Sequence, residues 1–354
     1  MRAVLYASAI ALIFSLIGTP IAIKIFTRRG YGQEVRLDGV QAHLVKRGTP
    51  TMGGMVIVLS TLVAYFLTKA ITWQAPSSSA LLVLFLMVGM GVVGFVDDFI
   101  KIHNRRSLGL RAKAKLVGQW IVTIVFAVLA LHFRNSMGLT PASDHISLLH
   151  DLSFLSLGPV LFVLWSYVST AGWSNAVNLT DGQDGLAAGA SVMAFAAYVV
   201  IGVWQYGQSC GVSASSGCYQ VRDPLDLAIV AASVMGACFG FLWWNAPPAK
   251  IFMGDTGSLS LGGAFAGLSI CSHTELLAVI IGGLFVMELM SVVIQVASFK
   301  LRHGKRVFKI TPIHHHFEML DWPEVNITIR FWIIDGLCVV LGLGVFYGGF
   351  EAHR

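Results

Sequence analysis

Long apolar runs recur along the whole chain and are broken only by short polar segments. Runs of this length cross a bilayer as helices, because a helix bonds all of its own backbone groups. The pattern predicts ten spans: Val4–Ile25, Met55–Thr72, Ala80–Val96, Leu116–His132, Leu157–Gly172, Leu186–Trp204, Leu227–Trp243, Ser258–Cys271, Leu276–Ala297 and Ile329–Tyr347. The expected fold is an all-α, polytopic membrane protein. Residues 1–354 then form a single integral-membrane domain. The first run reads as a true span and not a cleaved signal, since no small-residue cleavage site follows it.

Composition supports the pattern. The chain is 56% hydrophobic and 12% charged, with a mean hydropathy of +0.74. A soluble protein is excluded on those values. The net charge of +6 raises the possibility of nucleic acid. However, the charges cluster in a few connecting segments. Of 24 Lys and Arg, nineteen fall on the side of the connections 1–2, 3–4, 5–6, 7–8 and 9–10, counting Lys24 and Arg330 at span ends. The remaining five are Arg2, Lys69, Arg134, Arg222 and Arg354. By the positive-inside rule the richer side is cytoplasmic and both termini are external. Five cysteines form no CxxC pair, which argues against zinc and iron–sulfur sites. Cys210 and Cys218 flank a small-residue loop on the external side, where a disulfide is expected.

One polar stretch stands out in this apolar chain: Asn175-Ala-Val-Asn178-Leu-Thr-Asp181-Gly-Gln-Asp184-Gly. Its four polar members recur every three residues. On a helix each would sit about 60° round from the last. Acids without a basic neighbour, set beside glycine, suit a hard cation and a phosphate. An Asx-rich loop is the plainer alternative. Asp97-Asp98-Phe-Ile-Lys101 closes an apolar run, and adjacent carboxylates disfavour each other's ionisation unless a cation holds them. Lys101 lies one turn on and can partly neutralise them.

Three further stretches fall on the same side. Phe252-Met-Gly-Asp255-Thr-Gly-Ser258 offers Asp255 either as a helix cap or as a magnesium ligand. Lys46-Arg-Gly-Thr-Pro-Thr51-Met-Gly-Gly54 is basic and glycine-rich, like a phosphate cradle, but it is not a Walker sequence. His314-His315-His316 cannot all face one way on a helix; in an extended segment His314 and His316 would share a side. They suit a transition metal or hydrogen bonds to phosphate or a base. Glu288 and Asp335 are acids inside predicted spans, which are candidates for function by default.

Taken in order, KRGTPTMGG (46–54), FVDDFIK (95–101), NAVNLTDG with DGL (175–186), FMGDTGSL (252–259) and PIHHHFE (312–318) resemble the phospho-N-acetylmuramoyl-pentapeptide-transferase family. The resemblance covers essentially the whole chain. It implies transfer of phospho-MurNAc-pentapeptide from its UDP carrier to undecaprenyl phosphate, giving lipid I and UMP for peptidoglycan. It also implies a magnesium cofactor, a bacterial plasma-membrane location, a site at the cytoplasmic face and a homodimer. Asp97, Asp98, Asp181 and Asp255 match the acids that family needs for catalysis, with Asp255 and Asp181 as the metal candidates. Lys46, Thr51, Asn175, Asn178, Asp184, Asn245, Phe252, Gln295, His314, His315 and His316 are the substrate-binding candidates. Where that family usually carries Leu between the paired Asp-Gly units, this chain has Gln183, whose amide is expected to border the nucleotide site.

Other readings remain. The wider superfamily includes polyprenyl-phosphate N-acetylhexosamine-1-phosphate transferases, which share the acidic motifs. A transporter would instead need its polar groups near the bilayer midplane. A non-catalytic scaffold would need no convergence of acidic and basic motifs.

Overall fold

The computed structural model describes residues 1–32, 48–104, 109–212 and 217–352. In order they form α1 (Arg2–Arg29), α2 (Gly54–Ile71), α3 (Ser78–His103), α4 (Ala112–His132), β1 (His145–Ser147), β2 (Asp151–Ser156) and α5 (Gly158–Thr180). Then follow α6 (Leu186–Gly207), α7 (Pro224–Asn245), α8 (Gly254–Cys271), α9 (Glu275–Ile281), α10 (Gly283–Leu301), α11 (Ile313–Glu318) and α12 (Glu324–Ala352). Eight of these helices, α1 to α4, α6, α7, α10 and α12, are long and apolar enough to cross a membrane. The protein is a mostly helical, multi-pass membrane protein.

The bundle is built around α8. Every residue from Thr256 to Cys271 is buried. Its sequence is rich in Gly, Ala and Ser, which lets neighbouring backbones approach closely. It packs against α3, α5 and α2. At Gly94 of α3 a Cβ would fall on the backbone carbonyl of Asp255, so only glycine permits that approach. Around this centre α1 packs on α7 and α2, α6 on α7, and α12 on α6 and α9.

Four local expectations change. The fifth apolar run does not end at Gly172: α5 continues to Thr180 and carries Asn175 and Asn178 on its last turns. The predicted Leu276–Ala297 span is broken at Gly282 into α9 and α10. A Cβ at Gly282 would lie 2.7 Å from the Trp173 ring, so the break sits where two aromatic side chains press on the backbone. The connector after α4 holds an antiparallel hairpin, β1 with β2. The histidine stretch is neither extended nor a loop but the short helix α11.

The polar contacts between helix ends fall into two separate groups. One is fastened by a buried ion pair. Lys69 Nζ lies 2.5 Å from Asp226 Oδ1, and the Tyr65 hydroxyl and Ser77 amide donate to Asp226 Oδ2 at 3.1 and 3.0 Å. These contacts tie α2, the start of α3 and α7 together. In the same group His273 Nδ1 meets Asp151 Oδ1 of the hairpin at 3.0 Å. The loop between α6 and α7 is closed there by a Cys210–Cys218 disulfide, with Cα atoms 4.9 Å apart.

Closing a loop of sequence separation 8 removes about 2–3 kcal/mol of denatured-chain entropy in the chain-entropy account. Alkylation of native membranes without reductant should therefore leave Cys210 and Cys218 unmodified when the sites are mapped by mass. Reductant should lower the melting temperature only slightly. Alkyl groups on both residues before reduction would show that the bridge does not form.

Candidate active site

The second group gathers the polar motifs. Asp97 and Asp98 sit on the last turns of α3, and Asp255 sits on the first turn of α8. One carboxylate oxygen from each lies within 4.8 Å of the other two. Three like charges at that spacing need compensation. Lys101 supplies part of it, with Nζ 2.6 Å from Asp97 Oδ2, 3.2 Å from Asp255 Oδ1 and 3.7 Å from Asp98 Oδ1. Lys115, from the first turn of α4, adds a second ammonium 2.7 Å from Asp255 Oδ2.

Two readings of Asp255 stood open, cap or ligand, and the geometry separates them. Its own side chain does not cap α8. That task falls to Asp98 from another helix, which accepts from the backbone amides of Asp255 and Thr256 at 3.1 and 2.9 Å and from the Thr256 hydroxyl at 2.7 Å. A carboxylate at a helix N-terminus satisfies amides that have no partner within the helix and meets the positive end of its dipole. Asp255 is thereby left facing the lysines. Asn178 donates to Asp255 Oδ1 at 2.9 Å and to Ser258 Oγ at 2.8 Å, which links α5 to the acidic group. Asp97 Oδ1 accepts from the Leu110 amide at 2.8 Å.

The remaining candidates fall into two sets. Thr51 and Phe252 stay beside the acids. The Phe252 amide donates to the Pro50 carbonyl and the Gly53 amide to the Phe252 carbonyl, at 2.8 and 2.9 Å, so the two loops run together under the cluster. Asp181 ends α5, and its carboxylate accepts from the Gly254 amide. The other set is engaged in holding loops. Asn245 donates to the Ile251 carbonyl at 2.9 Å. Gln295 accepts from the amides of Val307 and Phe308 and donates to the Phe308 carbonyl, all near 2.9–3.0 Å. Asp184 Oδ2 accepts from the Ala249 amide at 2.9 Å, and Asn175 turns back to the Ala171 carbonyl at 2.7 Å.

On α11 the three histidines meet three different partners, although the rings of His314 and His315 lie side by side. His314 is fully buried with Nδ1 3.1 Å from Glu288, His315 Nδ1 is 2.7 Å from Glu318, and His316 Nδ1 accepts from the Lys309 amide at 3.2 Å. Glu288 is thus a partner of the histidine helix. Asp335 is buried, with neither oxygen hydrogen-bonded among the described residues. Lys46 lies outside the described residues.

Among the described residues, Asp97, Asp98 and Asp255 form the one acidic group compact enough for a metal. Its all-oxygen donor set fits a hard divalent cation. Asp181 is not a member of that group of three, although the charge of Asp255 reaches its carboxyl. Lys115 and Glu318 were not singled out from sequence. Lys115 sits in a basic run that positive-inside placement already explained. Glu318 closes the histidine motif but gave no sign of its contacts.

The carboxyl of Asp181 is held well above the ordinary carboxylate range, first by burial and then by the nearby charges of Asp255 and Asp98; the Gly254 amide opposes this only in part. A raised folded-state value means that its contribution to stability is complete below the unfolded value and is lost as pH rises through the folded one. In metal-free detergent, Asp181→Asn should therefore melt above the unsubstituted protein at about pH 7.5, and the gap should close toward about pH 4. A variant melting lower at the higher pH would contradict the assignment.

Residues 80–273 match the glycosyl transferase family 4 description, and residues 46–58 match signature 1 of phospho-N-acetylmuramoyl-pentapeptide-transferase. The chain is 60% identical to the phospho-N-acetylmuramoyl-pentapeptide-transferase of Streptomyces griseus subsp. griseus, over the full length of both. It is 59% identical to that of Frankia casuarinae, over 100% of this chain and 99% of the relative. It is 57% identical to that of Streptomyces coelicolor, again over the full length of both. The chain belongs to the phospho-N-acetylmuramoyl-pentapeptide-transferase family.

Proposed function

We infer that this protein transfers phospho-MurNAc-pentapeptide from its UDP carrier to undecaprenyl phosphate, producing lipid I and UMP for peptidoglycan. The observation that carries the reading is the meeting of Asp97, Asp98 and Asp255 with Lys101 and Lys115 at one end of a membrane bundle. A lipid-borne acceptor and a large soluble anion can meet only where spans end in water. Full-length identity to enzymes of that name supports the choice of donor and acceptor.

Phosphoryl transfer needs positioning and charge neutralisation more than covalent help. A phosphate monoester has a second pKa near 6, so the lipid phosphate is largely dianionic at neutral pH. Its oxygen attacks the β-phosphorus of the donor directly. A new oxygen–phosphorus bond forms, the bond to the bridging oxygen breaks, and UMP leaves with that oxygen. Asp98 is committed to the amides of α8, which favours Asp97 for orienting the incoming phosphate or taking its residual proton. Magnesium, held by Asp255 at this acidic group, would supply the charge that stabilises the leaving nucleotide. Lys101 and Lys115 balance the acids. Thr51, Asn178, Phe252, Asp181 and the histidine helix border the donor, and Lys46 is a donor-binding candidate on the family resemblance. Asn175, Asp184, Asn245 and Gln295 shape the surrounding loops.

The same reading makes residues 1–354 one ten-span domain, with α5 and α8 as the two crossings beyond the eight and α9 extending the crossing of α10. It places both termini outside and the acidic cluster in the cytoplasm of a bacterial cell. The nineteen-to-five division of Lys and Arg supports this orientation, as does the disulfide beside the other group of contacts. Homodimer formation rests on the family resemblance alone. Labelling of single cysteines in whole cells should reach position 137 from outside and position 302 only after permeabilisation; the reverse pattern would invert the protein.

Purified full-length chain should release UMP from UDP-MurNAc-pentapeptide when polyprenyl phosphate and magnesium are present, and chelation should stop it. UDP-GlcNAc should not serve as donor; turnover with it alone would move the protein to the hexosamine branch. Donor without acceptor should give no stoichiometric burst of UMP, whereas a burst would indicate a phosphoryl-aspartate intermediate. Asp255→Asn should lower turnover by at least about a hundredfold with melting retained, because an amide replaces a charged metal ligand poorly. Near-normal turnover would make Asp255 dispensable.

A further inference from the structure

The turn from Asp181 to Gly185 passes directly beside α11. Gln183 is 4% exposed in it. Its Nε2 donates to Glu318 Oε1 at 2.6 Å, and the other oxygen of that carboxylate, Oε2, lies 2.7 Å from His315 Nδ1. Each oxygen of Glu318 therefore faces a different donor. The Glu318 side chain is 7% exposed and that of His315 is 20% exposed, so the buried pair ends in a ring that still reaches the surface.

A carboxylate only accepts hydrogen bonds. The contact with Glu318 therefore requires the proton of His315 on Nδ1 and turns Nε2 the other way. That direction is toward the turn carrying Asp181: a Cβ built on Gly182 would lie 3.3 Å from His315 Nε2. The neighbouring ring also approaches this turn, without a hydrogen bond of its own to a carboxylate among the described residues. His314 has Nδ1 against Glu288, its Nε2 comes closer still to Gly182, and the two ring centres are 4.1 Å apart.

We propose that Gln183 and Glu318 form a positioning pair that fixes the tautomer and ring direction of His315, and through it the donor-nucleotide side of the site. Glu318 closes a six-residue helix, and Gln183 reaches it from a different segment of the chain. The amide fixes one oxygen, which leaves the second aimed at the imidazole. Leucine at this position could pack against Glu318 but could not orient it. The inference rests on the transferase reading for its kinetic test and on nothing else in that reading.

The chemistry supplies a reciprocal test. Glu318→Gln has one acceptor and one donor, so it serves both Gln183 and His315 only if the Gln183 amide turns over and buries its NH2 without an acceptor. Gln183→Glu sets two carboxylates against each other. The double variant Gln183→Glu, Glu318→Gln restores the match: the new amide donates to residue 183 and accepts from His315, at unchanged net charge. Each single variant should raise the donor KM roughly tenfold or more, with the KM for polyprenyl phosphate unchanged, and the double variant should return to within about threefold. In parallel, ¹⁵N-histidine spectra should show the Nδ1–H tautomer of His315 in the unsubstituted protein, its loss in Glu318→Gln and its return in the double variant. Unchanged donor KM in the single variants would overturn the proposal, as would a double variant that recovers melting temperature but not KM. If the unsubstituted chain released no UMP, the transferase reading would fail, and the histidine spectra would decide the positioning pair independently.

Discussion

Three carboxylates drawn within 4.8 Å of one another are the constraint on which this end of the molecule depends. At an effective dielectric of about 20, two unit charges at that distance repel by roughly 3–4 kcal/mol. The bundle meets this by three different means. Lys101 comes from the same helix as two of the acids, one turn away. Lys115 arrives from α4. The exposed amides of α8 take up Asp98. Each remedy fixes a helix relative to another, so the charge balance of the site and the packing of α3, α4 and α8 are one problem.

The spans were largely legible because a single physical rule, burial of apolar runs in a bilayer, acts along the whole chain. The departures occur where tertiary contact overrides it. Gly282 breaks an apolar run because Trp173 and Phe265 occupy the space a side chain would need. The histidines adopt a helix whose directions are set by Glu288, Glu318 and the Lys309 amide, none of which is predictable from three adjacent imidazoles. Asp98 looked like half of an acidic pair; only the arrival of α8 reveals it as a cap supplied from another helix.

The candidate site was legible as a set of segments but not as a set of roles. A carboxamide in an apolar chain signals that something polar must be satisfied, and that partner can equally be a loop backbone or a ligand. Gln295 and Asn245 meet backbone groups, whereas Asn178 meets Asp255. Spacing along the sequence is the same kind of signal in all three. Lys115 shows the converse: a side chain central to the electrostatics was indistinguishable from its neighbours in a basic run.

The burial of α8 bears on how the protein enters a membrane. Of the helices that meet at the acids, α5 and α8 are the two outside the set apolar enough to cross on their own. Lipid holds a segment by its hydrocarbon affinity, and α8, rich in Gly, Ala and Ser, has little to offer it. Its retention therefore comes from protein on every side. On the ten-span reading, α3 and α5 must be in place to receive it. The active-site end is thus the part of the molecule whose membrane insertion is inseparable from its folding, and a substitution that loosens Gly94 against Asp255 would be felt first as a failure of biogenesis.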